Sequence, residues 1–288
     1  MRRNILLALA VCLLASCSEN IEEKAAKHLD NAKEAFSVGN YNVAKQEIDS
    51  IRILYPNAFE TRKQGIKLMQ RVEETEQLRA VEYEDSMIAL YTAAFEKIKA
   101  EYAFEKDEQY QDIGIYTIKS QAPQRNTDRT YIRAQVDELG HMTLISCYRG
   151  DSYIHHDWLK LTLGDIYVDT PESKDRHEFK DLDVCYEWLS FINGNDGGAA
   201  AFIHANKDAD IRYTLYRKTG PDSSRPVYRN LKLNKDDRYA IAKLYDLSEI
   251  LKNIEEHKQI REEADRHLKF IRSRIKEESV EESIQEDK

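Results

Sequence analysis

Apolar residues recur along the first part of the chain at helical spacing. Ile21, Ala25, Leu29, Ala32 and Phe36 step by three or four residues, which places them on one face of a helix over 21–38. Gly39-Asn40 interrupts the pattern. Ala44, Ile48, Ile51 and Leu54 mark a second helix, and Pro56 ends it, since proline removes a donor and its ring clashes with the preceding turn. Residues 58–104 hold no proline and one glycine, Gly65. A stripe of Ile66, Met69, Val72, Leu78, Val81, Met87, Leu90, Tyr91, Ala94 and Ile98 predicts one long helix there, or two nearly continuous ones. The polar run Glu73 to Gln77 marks a bend or an exposed stretch.

Toward the other end, Ala240, Leu244, Leu247, Leu251 and Ile254 step by 4, 3, 4 and 3, a heptad seam. Lys258 and Arg261 break the register. Ile260, Ala264, Leu268, Ile271 and Ile275 resume it in shifted phase, like a stutter. This predicts a second long helix over 236–283 and a frayed acidic tail at 284–288. Neither long helix can bury its stripe alone, so the two are expected to pack antiparallel.

Between them, residues 105–235 change character. Short alternating runs appear at 113–118, 131–136, 141–148, 158–163, 166–168, 184–192, 199–205, 211–216 and 227–233, separated by Gly-, Asp- and Asn-rich turns. Such spacing predicts an antiparallel sheet, sandwich or open barrel. In the run from Tyr131, the residues Ile132, Ala134 and Val136 alternate with Tyr131, Arg133 and Gln135, the pattern of a strand with one buried and one wet face. The predicted class is α+β: a helical hairpin and two long antiparallel helices flanking an inserted antiparallel β-rich domain.

Composition agrees with a helix-rich chain. Charged residues make up 33 % of the 288, with ten glycines and five prolines. The formal net charge is −9, which disfavours phosphate backbones, so nucleic acid is not an expected partner.

The N-terminus carries its own signal. Arg2 and Arg3 precede an apolar run from Ile5 to Ala15, and the run closes on Leu14-Ala15-Ser16-Cys17. The run is too short for a membrane span, which needs about 20 residues, but it has the layout of an export signal. It resembles a bacterial lipoprotein signal. The resemblance implies removal of 1–16, lipidation of Cys17 and an outer-membrane address on the periplasmic face or cell surface. Ser18 is the residue that permits outer-membrane transport in that family, and the acidic run from Glu19 to Glu23 fits surface exposure. Removal of Arg2 and Arg3 would leave the mature chain more acidic still.

The hairpin at 17–57 resembles one tetratricopeptide repeat through Ala32, Gly39-Asn40-Tyr41, Ala44 and Pro56. It departs from that family at Ile51, where a small residue is usual, and lacks the usual tryptophan of the first helix. Residues 57–90 do not repeat the pattern. A solenoid needs about three repeats to bury its core, so this unit is expected to lean on other elements. A lipoprotein signal, repeat-like helices and a β-rich segment together resemble uncharacterised lipoproteins of Gram-negative bacteria, a likeness that implies an envelope address and no particular activity.

Four cysteines are present. Cys12 would leave with the signal and Cys17 would carry lipid, leaving Cys147 and Cys185 as either a disulfide or two buried thiols. Among motifs with a mechanism, HExxH, GxSxG, the P-loop and the Gly-rich dinucleotide turn are all missing from the sequence. His155-His156-Asp157, with His141 as a partner, is the nearest approach to a metal cluster, but neighbours on a strand face opposite ways. Gly194-Asn195-Asp196-Gly197-Gly198 has oxygen donors without the spaced carboxylates of a calcium loop. Cys147 lies mid-strand, away from a helix N-terminus that would activate it. No catalytic residue, metal or cofactor is therefore assigned.

Aromatics offer a better lead. Ten of the 17 tyrosines and both tryptophans lie between 105 and 235. Tyr153, Trp158 and Tyr228 are the candidates for an exposed binding surface. The expected function is a lipid-anchored, non-catalytic envelope protein that scaffolds or binds another envelope protein. The alternatives are carbohydrate binding through the aromatics of the β-rich domain and an envelope hydrolase.

Overall fold

The computed structural model describes residues 21–286, with side chains through Val280. The signal, Cys17 and the last two residues lie outside the described residues. The chain forms two compact units. Of the described residues, one unit comprises 21–86 and 258–286; the other is Met87–His257. The class is α+β, with a β-rich region inserted between long helices.

In the first unit, α1 (residues 21–37) and α2 (Tyr41–Leu54) form a hairpin. Gly39 makes the turn with φ +78°, a conformation open to glycine, and the Asn40 side chain caps α2 by accepting from the Val43 N–H. Ala25, Leu29 and Ala32 of α1 bury against Ala44, Ile48 and Ile51 of α2. The hairpin does not close its core alone: Leu68 and Val72 of α3 (Phe59–Ile98) join the cluster. Within this unit α3 runs antiparallel to α5 (Lys235–Glu286), as ion pairs Glu74–Arg272 (2.8 Å) and Asp85–Arg261 (2.9 Å) show.

The expected stripes hold in part. Ala264, Leu268 and Ile271 are buried, but Ile260 is 42 % exposed; on α3, Ile66 and Leu90 are 52 % and 59 % exposed and Leu78 is at the surface. α3 is a single helix, followed by a 3-10 turn at Lys99–Glu101. The tail expected to fray from 284 is helical as far as Glu286.

The second unit contains two antiparallel sheets. The larger has the order β1 (Ala103–Glu105), β2 (Ile115–Thr117), β3 (Tyr131–Asp137), β4 (Met142–Gly150), β8 (Val184–Phe191), β7 (Arg176–Asp181). The smaller runs β10 (Ser223–Lys232), β9 (Arg212–Gly220), β5 (Trp158–Leu163), β6 (Ile166–Asp169). Both are open sheets rather than a closed barrel. One core unites Ile132, Leu144 and Leu189 of the first with Leu159, Leu161 and Leu215 of the second. The heptad seam of α5, Leu244 to Ile254, completes that core together with Phe95 of α3. This is why the boundary falls inside the long helices rather than at the expected 104/105 and 235/236.

The run at 199–205 forms a helix, α4 (Ala199–Ala205), not the expected strand. Alanine favours helix, and Asp196 caps the turn by accepting from the Gly198 and Ala200 N–H groups, each at 2.9 Å. That commits the carboxylate of the loop weighed as a calcium turn. Strands β1 and β7 are additions; their polar sequences hide the alternation. Gly140 closes the β3–β4 hairpin at φ +88°, where a Cβ would come within 2.5 Å of the Lys252 backbone nitrogen on α5. No helix among the described residues is long and apolar enough to cross a membrane.

Candidate functional site

Strand alternation divides the large sheet into two faces. The inner face carries Ile132, Leu144 and Leu189 into the core. The outer face carries Tyr131 and Arg133 from β3, Ile145 and Cys147 from β4, Tyr186 and Trp188 from β8, and His177 and Phe179 from β7. The register aligns them in rows: Tyr131 opposes Cys147, Cys147 opposes Trp188, and Trp188 opposes His177. The face expected to be wet is therefore half apolar, with Tyr131, Ile145 and Cys147 buried beside Trp188.

The aromatic rings form a connected wall. Phe179 stacks on Tyr186 with centroids 4.9 Å apart and meets Trp188 edge-on at 5.2 Å. The Arg133 guanidinium lies 5.5 Å from the centre of the Trp188 ring, and that of Arg129 lies 4.5 Å from Tyr131. The segment 118–130 folds over the end of this face in two 3-10 turns, Lys119–Gln121 and Pro123–Arg125. Asn126 braces it, donating to the Ser120 and Ala122 carbonyls at 2.9 and 2.8 Å. Arg129 forks onto Asp237 of α5 at 2.5 and 2.7 Å, and hydrogen bonding to Asp237 raises its pKa despite partial burial. Asp237 also accepts from the Gln121 amide at 2.7 Å.

Two adjacent cavities result, the two compartments of the groove, with Pro123 and Gln124 in the lining of both. The aromatic compartment, about 240 Å³, is walled by Tyr131, Cys147, Phe179, Tyr186 and Trp188. The polar compartment, about 250 Å³, is lined by Thr117, Gln111, Gln121, Gln135 and Arg133. Gln121 is 2 % exposed and its Oε1 has no hydrogen-bond partner; neither does the buried Arg133 Nε, nor that of Arg149 on the same face of β4. Buried polar atoms are ordinarily paired, with protein groups or ordered water; Gln121 and Arg133, both in the lining of the polar compartment, each hold one that lacks a protein partner. Arg133 also bonds Gln135 Oε1 at 3.4 Å and faces the Cys147 thiol, and among the described residues it pairs with no carboxylate.

Cys147 forms part of the aromatic wall, and burial pushes its thiol up to about 11, so it stays protonated and unreactive at neutral pH. It is not bridged to Cys185; both are free thiols. The register shows why. Cys147 opposes Trp188 on the outer face, whereas Cys185 opposes Gly150 on the inner face.

The three aromatics expected to form a surface do not converge on the groove. Trp158 stacks on Tyr216 at 4.0 Å and donates its indole N–H to Ser224, on the smaller sheet. Tyr228 is 40 % exposed and meets Tyr148 edge-on. Tyr153 stacks on His155. No ring contact joins any two of the three.

The histidine pair is put to structural use. His156 is fully buried, its Nδ1 2.7 Å from Glu187 Oε2 and its Nε2 3.0 Å from Ser146 Oγ. This has the connectivity of a serine–histidine–acid relay, but Ser146, His156 and Glu187 are each 0 % exposed, so no substrate can reach the hydroxyl. Burial pushes the Glu187 carboxyl up, yet hydrogen bonds from the His156 ring and the N–H groups of His155 and His156 outweigh it and leave its pKa below the ordinary value. His155, held at φ +51°, pairs with Glu178 at 2.7 Å, and Asp157 pairs with Arg176 at 2.9 Å. His155, Glu178 and Glu187 bring donor atoms within 4.8 Å of one another, as a cation site would. Much of that donor set is already engaged: Glu187 accepts four N–H groups, and Glu178 Oε1 takes Arg176 at 2.7 Å as well as His155. His141 pairs with Asp137 at the β3–β4 turn instead of joining them.

A separate cavity of about 300 Å³ lies in the helical unit, lined by Ile48, Ile51, Ile66, Met69 and Phe270 with Arg274. It leaves no buried polar atom unpartnered among the described residues. Comparison with family models, curated proteins and solved structures gave no match to the chain.

Proposed function

We propose that this chain is a non-catalytic, lipid-anchored protein of the outer membrane whose β-rich unit binds an envelope ligand in the groove of the large sheet. The observation that carries the binding role is the polar compartment, where Gln121 Oε1 and Arg133 Nε lack a protein partner, adjoining a second compartment with an aromatic wall. The closure of the Ser146–His156–Glu187 relay favours binding over hydrolysis. The run from Arg2 to Cys17 supports the anchor. Stable anchoring takes more than one acyl chain, which a triacylated Cys17 would supply.

Hydrogen exchange tests the binding role. The mature protein is mixed with solubilised envelope, and exchange is compared with the free protein. Slower exchange over 119–135 and 176–190 is the expected result. Protection confined to α1 and α2 would move the binding role to the helical hairpin, and no protection anywhere would remove it. Mass spectrometry of the N-terminal peptide tests the anchor: an unacylated Cys17 refutes it.

A further inference from the structure

We infer that the groove takes an oligosaccharide bearing a carboxylate, an inference that rests on the binding role proposed above. The polar compartment is built from planar side chains that both donate and accept: the amides of Gln111, Gln121, Gln124 and Gln135, with the hydroxyl of Thr117. Sugar hydroxyls have the same dual character, so each ring meets complementary partners. The adjoining aromatic compartment presents the ring faces and edges that C–H groups of a sugar cover. Each compartment lies near the lower end of small-ligand pockets, roughly 300 Å³, which suits a ring or two apiece.

Charge narrows the class. Arg133 belongs to both features, lining the polar compartment while its guanidinium covers Trp188 of the aromatic wall. Among the described residues no carboxylate pairs with it, in a chain of net charge −9. A guanidinium fork matches a carboxylate with two parallel hydrogen bonds, which the two Nη groups can supply. The carboxylates of the lining, Glu105 and Asp181, are both exposed and do not reach it.

A peptide fits less well. Extended peptides are bound mainly through free main-chain groups at a sheet edge. The aromatic compartment lies on the face of the sheet, where β4 and β8 have already spent those groups on their neighbours.

The test is titration of the mature protein, in a Trp158→Phe background that leaves Trp188 as sole emitter, with oligogalacturonides, neutral chito-oligosaccharides and poly-glutamate. Oligogalacturonide should shift Trp188 emission and bind about tenfold more tightly than the neutral sugar, since one charge-assisted pair is worth about that factor. Arg133→Gln should weaken oligogalacturonide more than the neutral sugar and so remove that tenfold preference, and Gln135→Ala, at a half-exposed position, should weaken both sugars without unfolding. Equal binding of poly-glutamate would overturn the carbohydrate class and favour an acidic protein. Failure of all three probes, with exchange protection by envelope retained, would overturn the ligand class but not the binding role. Loss of that protection as well would remove both.

Discussion

Replacing Glu187 by glutamine isolates the network that holds the histidine segment against the large sheet. The carboxylate is 0 % exposed and accepts from the Ile154, His155 and His156 N–H groups and from the His156 ring. Glutamine keeps the volume but turns one acceptor into a donor. Two buried N–H groups then lose their acceptor, at about 1–3 kcal/mol each. A loss of about 4 kcal/mol is expected, roughly 8–16 °C in melting temperature for a unit of this size. Both tryptophans, Trp158 and Trp188, belong to this unit, so thermal unfolding followed by their emission reports it separately from the helical unit.

The pH dependence follows from the same carboxylate. Its folded pKa is depressed, so its contribution is complete above the unfolded value, about 4.3, and is lost as pH falls through the folded value. The gap in stability between the parent and Glu187→Gln should therefore narrow below about pH 4. A melting temperature unchanged at neutral pH, or a gap that persists undiminished in acid, would refute the reasoning.

Other consequences are open to similar checks. Gly140→Ala places a methyl within 2.5 Å of the Lys252 nitrogen and 2.8 Å of the Ser248 carbonyl oxygen at positive φ; denaturant titration should show a loss of at least about 1–3 kcal/mol. Leu251→Lys puts a charge into a seam position 6 % exposed in the β-rich unit, and several kcal/mol of destabilisation are expected by the same titration. Thiol labelling of unreduced, lipid-free protein should leave Cys147 and Cys185 unmodified when folded and label both on unfolding, since both are buried and unbridged; a mass two hydrogen atoms lighter, with neither of them labelled after unfolding, would show a disulfide.

The expectations that held rest on short-range pattern. The hairpin is written in the spacing of Ala25, Leu29, Ala44 and Ile48, and the α5 seam in Leu244 to Ile254, because a helix brings residues three and four apart onto one face. The run at 199–205 misled because a short apolar stretch has no decisive period; its alanines and the Asp196 cap were the better signal. Ile260, Leu78 and Leu90 stay exposed because a stripe finds burial only where a partner surface meets it.

The chain by itself determined where its helices and most of its strands lie, since propensity, periodicity and turn residues act over a few positions. Tertiary structure alone decided which faces are buried and which side chains meet. Gln121, Arg133, Phe179 and Trp188 come from a loop and three strands, and no spacing along the chain links them. Strand order places β8 between β4 and β7, and that pairing carries Trp188 to the row of Cys147 and Tyr131. Strand order and register are set by the burial of the whole sheet, a sum over many distant contacts that no local window contains.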